Sequence, residues 1–516
     1  MSLPSIFSYY AEKLSGASKQ YFRILPHTGS ATVTAGQSTR FALPTSSIIN
    51  TRSVRIFFNV KTTGTDGARL PASLDALISR VTLYAGGVAI SSQHNNYGLL
   101  CQAKTIFEED RQSVCHGHLD IVREHPYQVI PKDVTTLTGA TAQAVANSLV
   151  LTQNKPEDDS ANVPSGDTLY CLELKHTFLS TVEPSCINAQ LFPEMVVEIV
   201  WESNNVLPAV KDVTLPDPCR IGTHQGQKRV VVATGNSTQA ATSDITLPHA
   251  TITSKYEVSD LHMSLEVLSM ASSVLQEIEA RRISEQGFLS LIYKGWSDHP
   301  FSAGNVSAAQ MSLSSQSLDR LYCCFHRADR LERGGVVPVV GHKMKGAFTS
   351  KASVTESTAT LDQDVGLPSN QDTGSTSHTL TNSERYLSRA QNLEFVPASD
   401  SVGPTFQIRA NSALIPATPA SVDEAYYISA NSVDTYKSTI CMRSQYILNY
   451  ACFVLSFCLP GSSFRREASG VDTRGLSSSF SVLTTGLSTS DQSMTVFAEA
   501  SMFLRVGAGG QLQVLQ

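Results

Sequence analysis

Alternation of apolar and polar residues with period two runs through most of the chain. In 51–62, Val54, Ile56, Phe58 and Val60 alternate with Arg55, Phe57 and Asn59. Such spacing puts one face of a strand in a core and leaves the other half-exposed. In 77–90, Val81 and Leu83 precede Ala85-Gly86-Gly87, and Val88 and Ile90 follow. Gly-Gly between alternating runs predicts a tight hairpin, because glycine takes positive φ at little steric cost. Further strands are predicted in 167–178, 191–201 and 258–270. The period then changes: Val274, Ile278 and Ile283 share a helical face in 271–284 and predict a short linker helix. Strands resume in 288–296, 317–326 and 407–415, the last ahead of a bend bounded by Pro416 and Pro419. The most apolar run, 446–459, reads as buried core. The run 494–506 reads as the closing strand, with the glycines of 507–510 releasing the tail. At the other end, Ile6, Tyr9, Tyr10 and Leu14 lie at near-helical spacing in 3–19, a short helix or arm that reads either as a loosely ordered terminus or as a contact arm for a neighbour or a membrane surface.

These elements divide the chain into an N-terminal arm (1–19), a first β unit (20–270), the linker helix (271–285) and a second β unit (286–516). Tracts 132–151, 153–165 and 345–383 are poor in large apolar residues and read as long surface loops. The units look alike in kind, without a residue-level repeat. Each must bury its apolar faces, and long loops between short strands favour jelly rolls over up-and-down barrels. The predicted fold class is all-β: a double jelly roll, two β-sandwich rolls side by side with short helices.

Composition narrows the function. Among 516 residues, 41% are hydrophobic and only 16% charged, with 39 Lys+Arg against 45 Asp+Glu, a net charge of −6. The longest basic clusters are pairs, Arg281-Arg282 and Arg465-Arg466 among them, too few for a protein whose task is to grip phosphates. The start, MSLPSIFSYYAEKL, lacks the charged and apolar regions of a secretory signal. Residues 446–459 are too short for a membrane helix of about 20 apolar residues and contain Asn449. Ten cysteines without a CxxC pair do not make a disulfide scaffold and point to folding in a reducing compartment.

No catalytic, cofactor or metal site emerges. Cys115, His116 and His118, with His125 further on, form the most metal-like tract, yet lack the spacing of a zinc site. Glu108, Glu109 and Asp110 read as solvated surface. No GxSxG elbow is present. Cys323, Cys324 and His326 lie close on a predicted strand, with Cys324 and His326 on one face, but without a third orienting group. Gly334-Gly335 and 507–510 lack the Lys-Ser or Lys-Thr of a phosphate loop. The sequons at Asn236 and Asn305 mean little without secretion. The expectation is a structural protein and not an enzyme.

The order of elements resembles the double jelly-roll major capsid proteins of small eukaryotic double-stranded DNA viruses, the polinton-like viruses and virophages above all. The resemblance rests on 77–100 (LISRVTLYAGGVAISSQHNNYGLL), the strand of 51–61, the strand of 256–267, the Pro-rich segment and Ala-Tyr-Tyr helix of 406–427, and the run 494–506. It covers most of the chain as order and spacing, and carries over no catalytic residue. It implies a homotrimer of six jelly rolls, a pseudo-hexameric capsomer of an icosahedral virion shell enclosing double-stranded DNA. Implied partners are neighbouring capsomers, penton and minor capsid proteins, and an inner membrane touched by the N-terminal arm. Sequence-specific nucleic-acid binding is not implied. The protein would be made and folded inside the host cell and reside in the capsid. The alternative is a carbohydrate-binding or other surface-interaction β-sandwich. It would need exposed aromatics, and only Trp201 and Trp296 supply indoles.

Overall fold

The computed structural model describes residues 18–27, 32–63, 71, 74–90, 95–108, 127–131, 149–153, 169–207, 219–224, 227–233, 240–243, 255–269, 284, 287–302, 304, 306–328, 393, 395, 403–410, 413–433, 451–458, 469–474, 479–490, 492–507 and 510–515. The chain begins with β1 (Ser18–Ile24), β2 (Val33–Thr34), β3 (Ser38–Ala42), β4 (Ile48–Thr63), β5 (Ile78–Ala85) and β6 (Val88–Ala89). Helix α1 (Tyr97–Glu108) precedes β7 (Tyr127–Pro131), β8 (Leu149–Gln153) and β9 (Leu169–Glu173). Then come α2 (Phe178–Thr181), β10 (Cys186–Asn188), β11 (Met195–Trp201), β12 (Cys219–His224), β13 (Gln227–Ala233), β14 (Ala240–Ser243) and β15 (Lys255–Ser269). The later part holds β16 (Phe288–Phe301), β17 (Ala308–Ser312), β18 (Leu318–Arg327), β19 (Thr405–Ala410) and β20 (Ala413–Ser421). It ends with α3 (Val422–Asn431), β21 (Cys452–Ser456), β22 (Ser479–Thr485), β23 (Gln492–Gly507) and β24 (Leu512–Leu515).

The strands pair into two similar sandwiches. In the first, one sheet has the order β1-β15-β4-β10 and the other β3-β11-β5-β6. In the second, the orders are β16-β23-β18-β21 and β17-β22-β19-β20. Numbering the eight principal strands of each sandwich along the chain, both become 1-8-3-6 facing 2-7-4-5. That is the winding of a jelly roll, two interleaved Greek keys. The fold is all-β, a double jelly roll.

Local sequence accounts for much of this. Val54, Ile56, Phe58 and Val60 of β4 are buried, as their alternation predicts. Gly86 (φ 56°) and Gly87 (φ 82°) make the turn between β5 and β6, both in the left-handed region that a primed hairpin turn needs. Helix α3 starts with a capping box: the Glu424 amide donates to Ser421 Oγ, and the Ser421 amide donates to Glu424 Oε2.

Three expectations require correction. Residues 494–506 lie in β23, but they are not the last strand. The Gly507 amide donates to the Gln511 carbonyl (2.8 Å), and β24 folds back to pair with β23. The glycines therefore turn the chain and do not release it, because Leu512 and Val514 find a core to pack against. The bend bounded by Pro416 and Pro419 lies inside β20 and not after the strand: Ile415 pairs with Ile408 and Ala420 with Phe406, so 416–419 bulge out of the ladder. Strand β20 is an edge strand, where a missing N–H breaks no inner ladder. The tract 132–151 is not wholly loop, since β8 begins at Leu149 and pairs with β7. The three-stranded sheet β12-β13-β14 was not anticipated. The arm residues 3–17, the helix of 271–283 and the loop of 345–383 lie outside the described residues.

Candidate functional site: the junction between the two rolls

Helix α1 sits between the cores and contributes to both. Tyr97 and Cys101, one turn apart, belong to the first core, whereas Leu99, Leu100 and Ala103 belong to the second. A helix with apolar residues on two faces is stable only with a core on each. Gly98 permits its position: a Cβ there would lie 2.7 Å from the Ala76 Cα.

Strands β16 and β23 also pass from one core to the other. Leu291 and Tyr293 of β16, with Met502, Leu504 and Val506 of β23, pack in the first core. Further along the same strands, Trp296 and Met494, Val496, Phe497 and Ala498 pack in the second. At the crossing, Gly295 lies opposite Ala500. A Cβ on Gly295 would stand 2.2 Å from the Met502 sulfur, so a larger residue there would have to displace the Met502 side chain. Direct bonds join the rolls beside it. The Glu183 amide donates to the Ile292 carbonyl (2.8 Å), and the Ile292 amide donates back (3.3 Å). Tyr293 donates its hydroxyl proton to the Ile90 carbonyl at 2.6 Å.

A buried charge cluster occupies the crossing. Lys294 Nζ lies 2.6 Å from Asp319 Oδ2 and 2.7 Å from Ser501 Oγ. Ser501 and Ser317 each donate to Asp319, at 2.7 and 2.8 Å. Glu499 is flanked by Lys104 of α1 and Arg320 of β18, each at 3.5 Å. Lys104 Nζ also stands over the Trp296 ring, 4.4 Å from its centre. All five charged side chains are buried. Burial alone would raise the Glu499 carboxyl pKa. The opposing charges of Lys104, Arg320 and Lys294 outweigh it and hold the carboxyl below its ordinary value. The Glu499 carboxylate is thus ionised and faced by cations. Such a cluster can fix the relative position of two rolls, and neither carboxylate is free to act as a base.

The residues singled out from the sequence fall elsewhere. Cys115, His116, His118, His125, Glu109, Asp110, Gly334, Gly335, Asn236, Asn305, Arg281, Arg282, Arg465 and Arg466 lie outside the described residues. Cys323 and Cys324 are buried on β18. Cys324 and His326 occupy alternate positions but turn to different partners: Cys324 Sγ to Cys452 Sγ, and His326 Nε2 to Thr495 Oγ1 at 3.1 Å. Burial pushes the Cys323 thiol well up, the reverse of an activated nucleophile. Among the described residues, no group of three or more His, Cys, Asp or Glu is placed to hold a metal ion. Trp201 and Trp296 are both buried, so neither presents its ring to a sugar. Lys104, Lys294, Asp319, Arg320 and Glu499 were not singled out. The available signal was charge inside otherwise apolar strand runs, since such residues are rarely buried unless paired.

The repeated winding makes the chain a double jelly-roll protein. No protein-family model matches it, and no curated protein does. Solved structures resemble it over nearly its whole length. A structure of the Sputnik virophage is 10% identical with a TM-score of 0.49, covering 96% of this chain and 88% of that one. The Faustovirus major capsid protein is 11% identical with a TM-score of 0.47, covering 95% and 91%. The mavirus major capsid protein is 8% identical with a TM-score of 0.41, covering 100% and 95%.

Proposed function

We propose that this chain is a structural protein of a virion shell, a major capsid protein that works by assembly and has no turnover. The reading rests on the chain's own architecture: one polypeptide carries two jelly rolls of the same winding, joined by shared strands, a shared helix and a buried charge cluster. Rigid paired walls allow side-to-side contacts at low ordering cost. Three chains would set six rolls around one axis, a pseudo-hexameric tile that closes with a single polypeptide. The finer proposals follow the sequence resemblance. They are a homotrimeric capsomer of an icosahedral shell around double-stranded DNA, in a polinton-like virus or virophage. Neighbouring capsomers, penton and minor capsid proteins would be the partners, and the arm of 1–19 would face an inner membrane. The rolls would divide at the linker of 271–285. No catalytic, metal or cofactor residue is assigned.

The test is the mass and appearance of the purified full chain. Light scattering should give a particle of about 167 kDa, three times the chain mass of 55.7 kDa, or larger assemblies of it. Electron microscopy should show pseudo-hexagonal tiles or closed shells. A stable monomer at micromolar concentration would overturn the proposal.

A further inference from the structure

Cys324 and Cys452 stand directly opposite each other on the neighbouring antiparallel strands β18 and β21. The next pair along is hydrogen-bonded, since the Phe325 amide donates to the Ala451 carbonyl at 2.9 Å. Antiparallel ladders alternate, so Cys324 and Cys452 form a non-hydrogen-bonded pair. Such pairs bring Cα atoms to about 4.5 Å, inside the span of about 4.4–6.8 Å that a disulfide bridges. The Sγ atoms already lie 3.7 Å apart. A bond of about 2.05 Å needs roughly 1.7 Å of further approach, which rotation of the two side chains can supply.

We propose that Cys324 and Cys452 are a redox-convertible dithiol, a modification site that a small-molecule disulfide such as glutathione disulfide closes, tying β21 covalently to β18. One thiol gives its proton to solvent, and its thiolate attacks a sulfur of the small disulfide. A mixed disulfide forms and the first small thiolate leaves. The second cysteine, deprotonated in turn, attacks the protein sulfur of that mixed disulfide. The Cys324–Cys452 bond forms and the second small thiolate leaves. The protein loses two electrons and two protons. The small disulfide takes both and departs as two thiols.

The site's position governs when this happens. Both cysteines are buried, and burial pushes the Cys452 thiol well up, so the closed native state reacts slowly. Strand β21 is five residues long and ends its sheet among the described residues, with α3 over its outer side, where the Val454 amide donates to Ser429 Oγ at 2.9 Å. Opening of β21, which must release α3 with it, exposes both sulfurs together, so the reaction draws on a high-energy local opening of the second roll. The bond would close a loop between positions 128 apart in sequence. A loop that long removes much entropy from the unfolded chain. The dithiol state suits folding in a reducing compartment, and the disulfide state would strengthen the second roll after transfer to an oxidising one. The inference does not depend on the capsid reading.

The experiment uses the full chain, purified with a reductant and then held in glutathione disulfide a few degrees below its Tm, where β21 opens. Free thiols are then alkylated in denaturant and the peptides mapped. The expected result is a peptide pair linked through Cys324 and Cys452, with Tm raised by roughly 10 °C and restored by dithiothreitol. Cys452→Ser and Cys324→Ala should each lose both the link and the rise. The wild-type peptide map stands even if a variant folds poorly. Recovery of both cysteines alkylated, linkage of either to another cysteine, persistence as glutathione adducts, or a fall in Tm on bond formation would each overturn the proposal.

Discussion

The two rolls share one winding but not one degree of independence. The first core takes Leu291, Tyr293, Met502, Leu504 and Val506 from strands of the second roll. Among the described residues, the second core takes only Leu99, Leu100 and Ala103 from the first part of the chain, all from α1. The extra sheets β7-β8 and β12-β13-β14 also lie within the first part of the chain. Topology and self-sufficiency are therefore separate properties. A jelly roll can have all eight strands in place and still draw part of its core from its neighbour. Each large buried apolar side chain contributes about 1.5–3 kcal/mol. Five borrowed ones approach the whole stability of a domain, about 5–15 kcal/mol. The second roll has only two leucines and an alanine at stake.

The largest expected effect breaks that asymmetry directly. A chain ending at residue 286 should show no cooperative thermal transition by near-ultraviolet circular dichroism. A chain of 284–516 should keep one, at lowered Tm. Equal behaviour of the two pieces would show that the borrowed strands matter less than their burial implies.

Point changes in the cores sharpen the same contrast. Phe453 is fully buried in the second core, and Phe453→Ala should cost about 3–5 kcal/mol in denaturant titration. Hydrogen exchange should rise in β18 and β21 and stay unchanged in β4. Tyr293 belongs to the second roll's strand but to the first roll's core, so Tyr293→Ala should raise exchange in β4 and β16 together.

The junction itself comes next. Lys294→Met leaves Asp319 buried without the cation at 2.6 Å. Breaking one side of such a pair costs about 3–5 kcal/mol. Adding Asp319→Leu should recover much of it, because a matched apolar pair carries no buried charge. If the double variant is no better than the single one, Asp319 matters through Ser317 and Ser501 more than through Lys294.

The smallest effect is on pH. The native Glu499 carboxyl lies below its ordinary value, which in an unfolded chain is about 4.3. Its contribution is therefore complete above that pH and is lost as pH falls through the lowered native value. Urea midpoints measured from pH 6 downward should show an acid-side decline, shallower in Glu499→Gln. An identical decline in the variant would assign the acid sensitivity to other carboxylates.

How much of this was legible depended on which partner an element had. Alternation in 51–62 and Gly86-Gly87 could be read directly, because backbone preference and a buried face are properties of adjacent residues. The sheet of 219–243 could not, since its short runs lack a strong alternating face. The glycines of 507–510 were misread because a turn signal is the same whether the chain leaves or folds back. What decides is whether Leu512 and Val514 meet a core.

The charge cluster draws the same boundary. Lys294 follows Tyr293 and is out of phase with Leu291 and Tyr293, so by sequence alone it belongs to the solvent face of β16. Alternation tells that the two faces of a strand differ, and it determined the all-β class and the pairing of two similar units. It does not tell what covers the second face. Tertiary structure decided that Asp319, Ser501 and helix α1 would cover it, because the groups that match Lys294, Arg320 and Glu499 come from strands and a helix far apart in the chain. Only folding brings them within hydrogen-bonding distance.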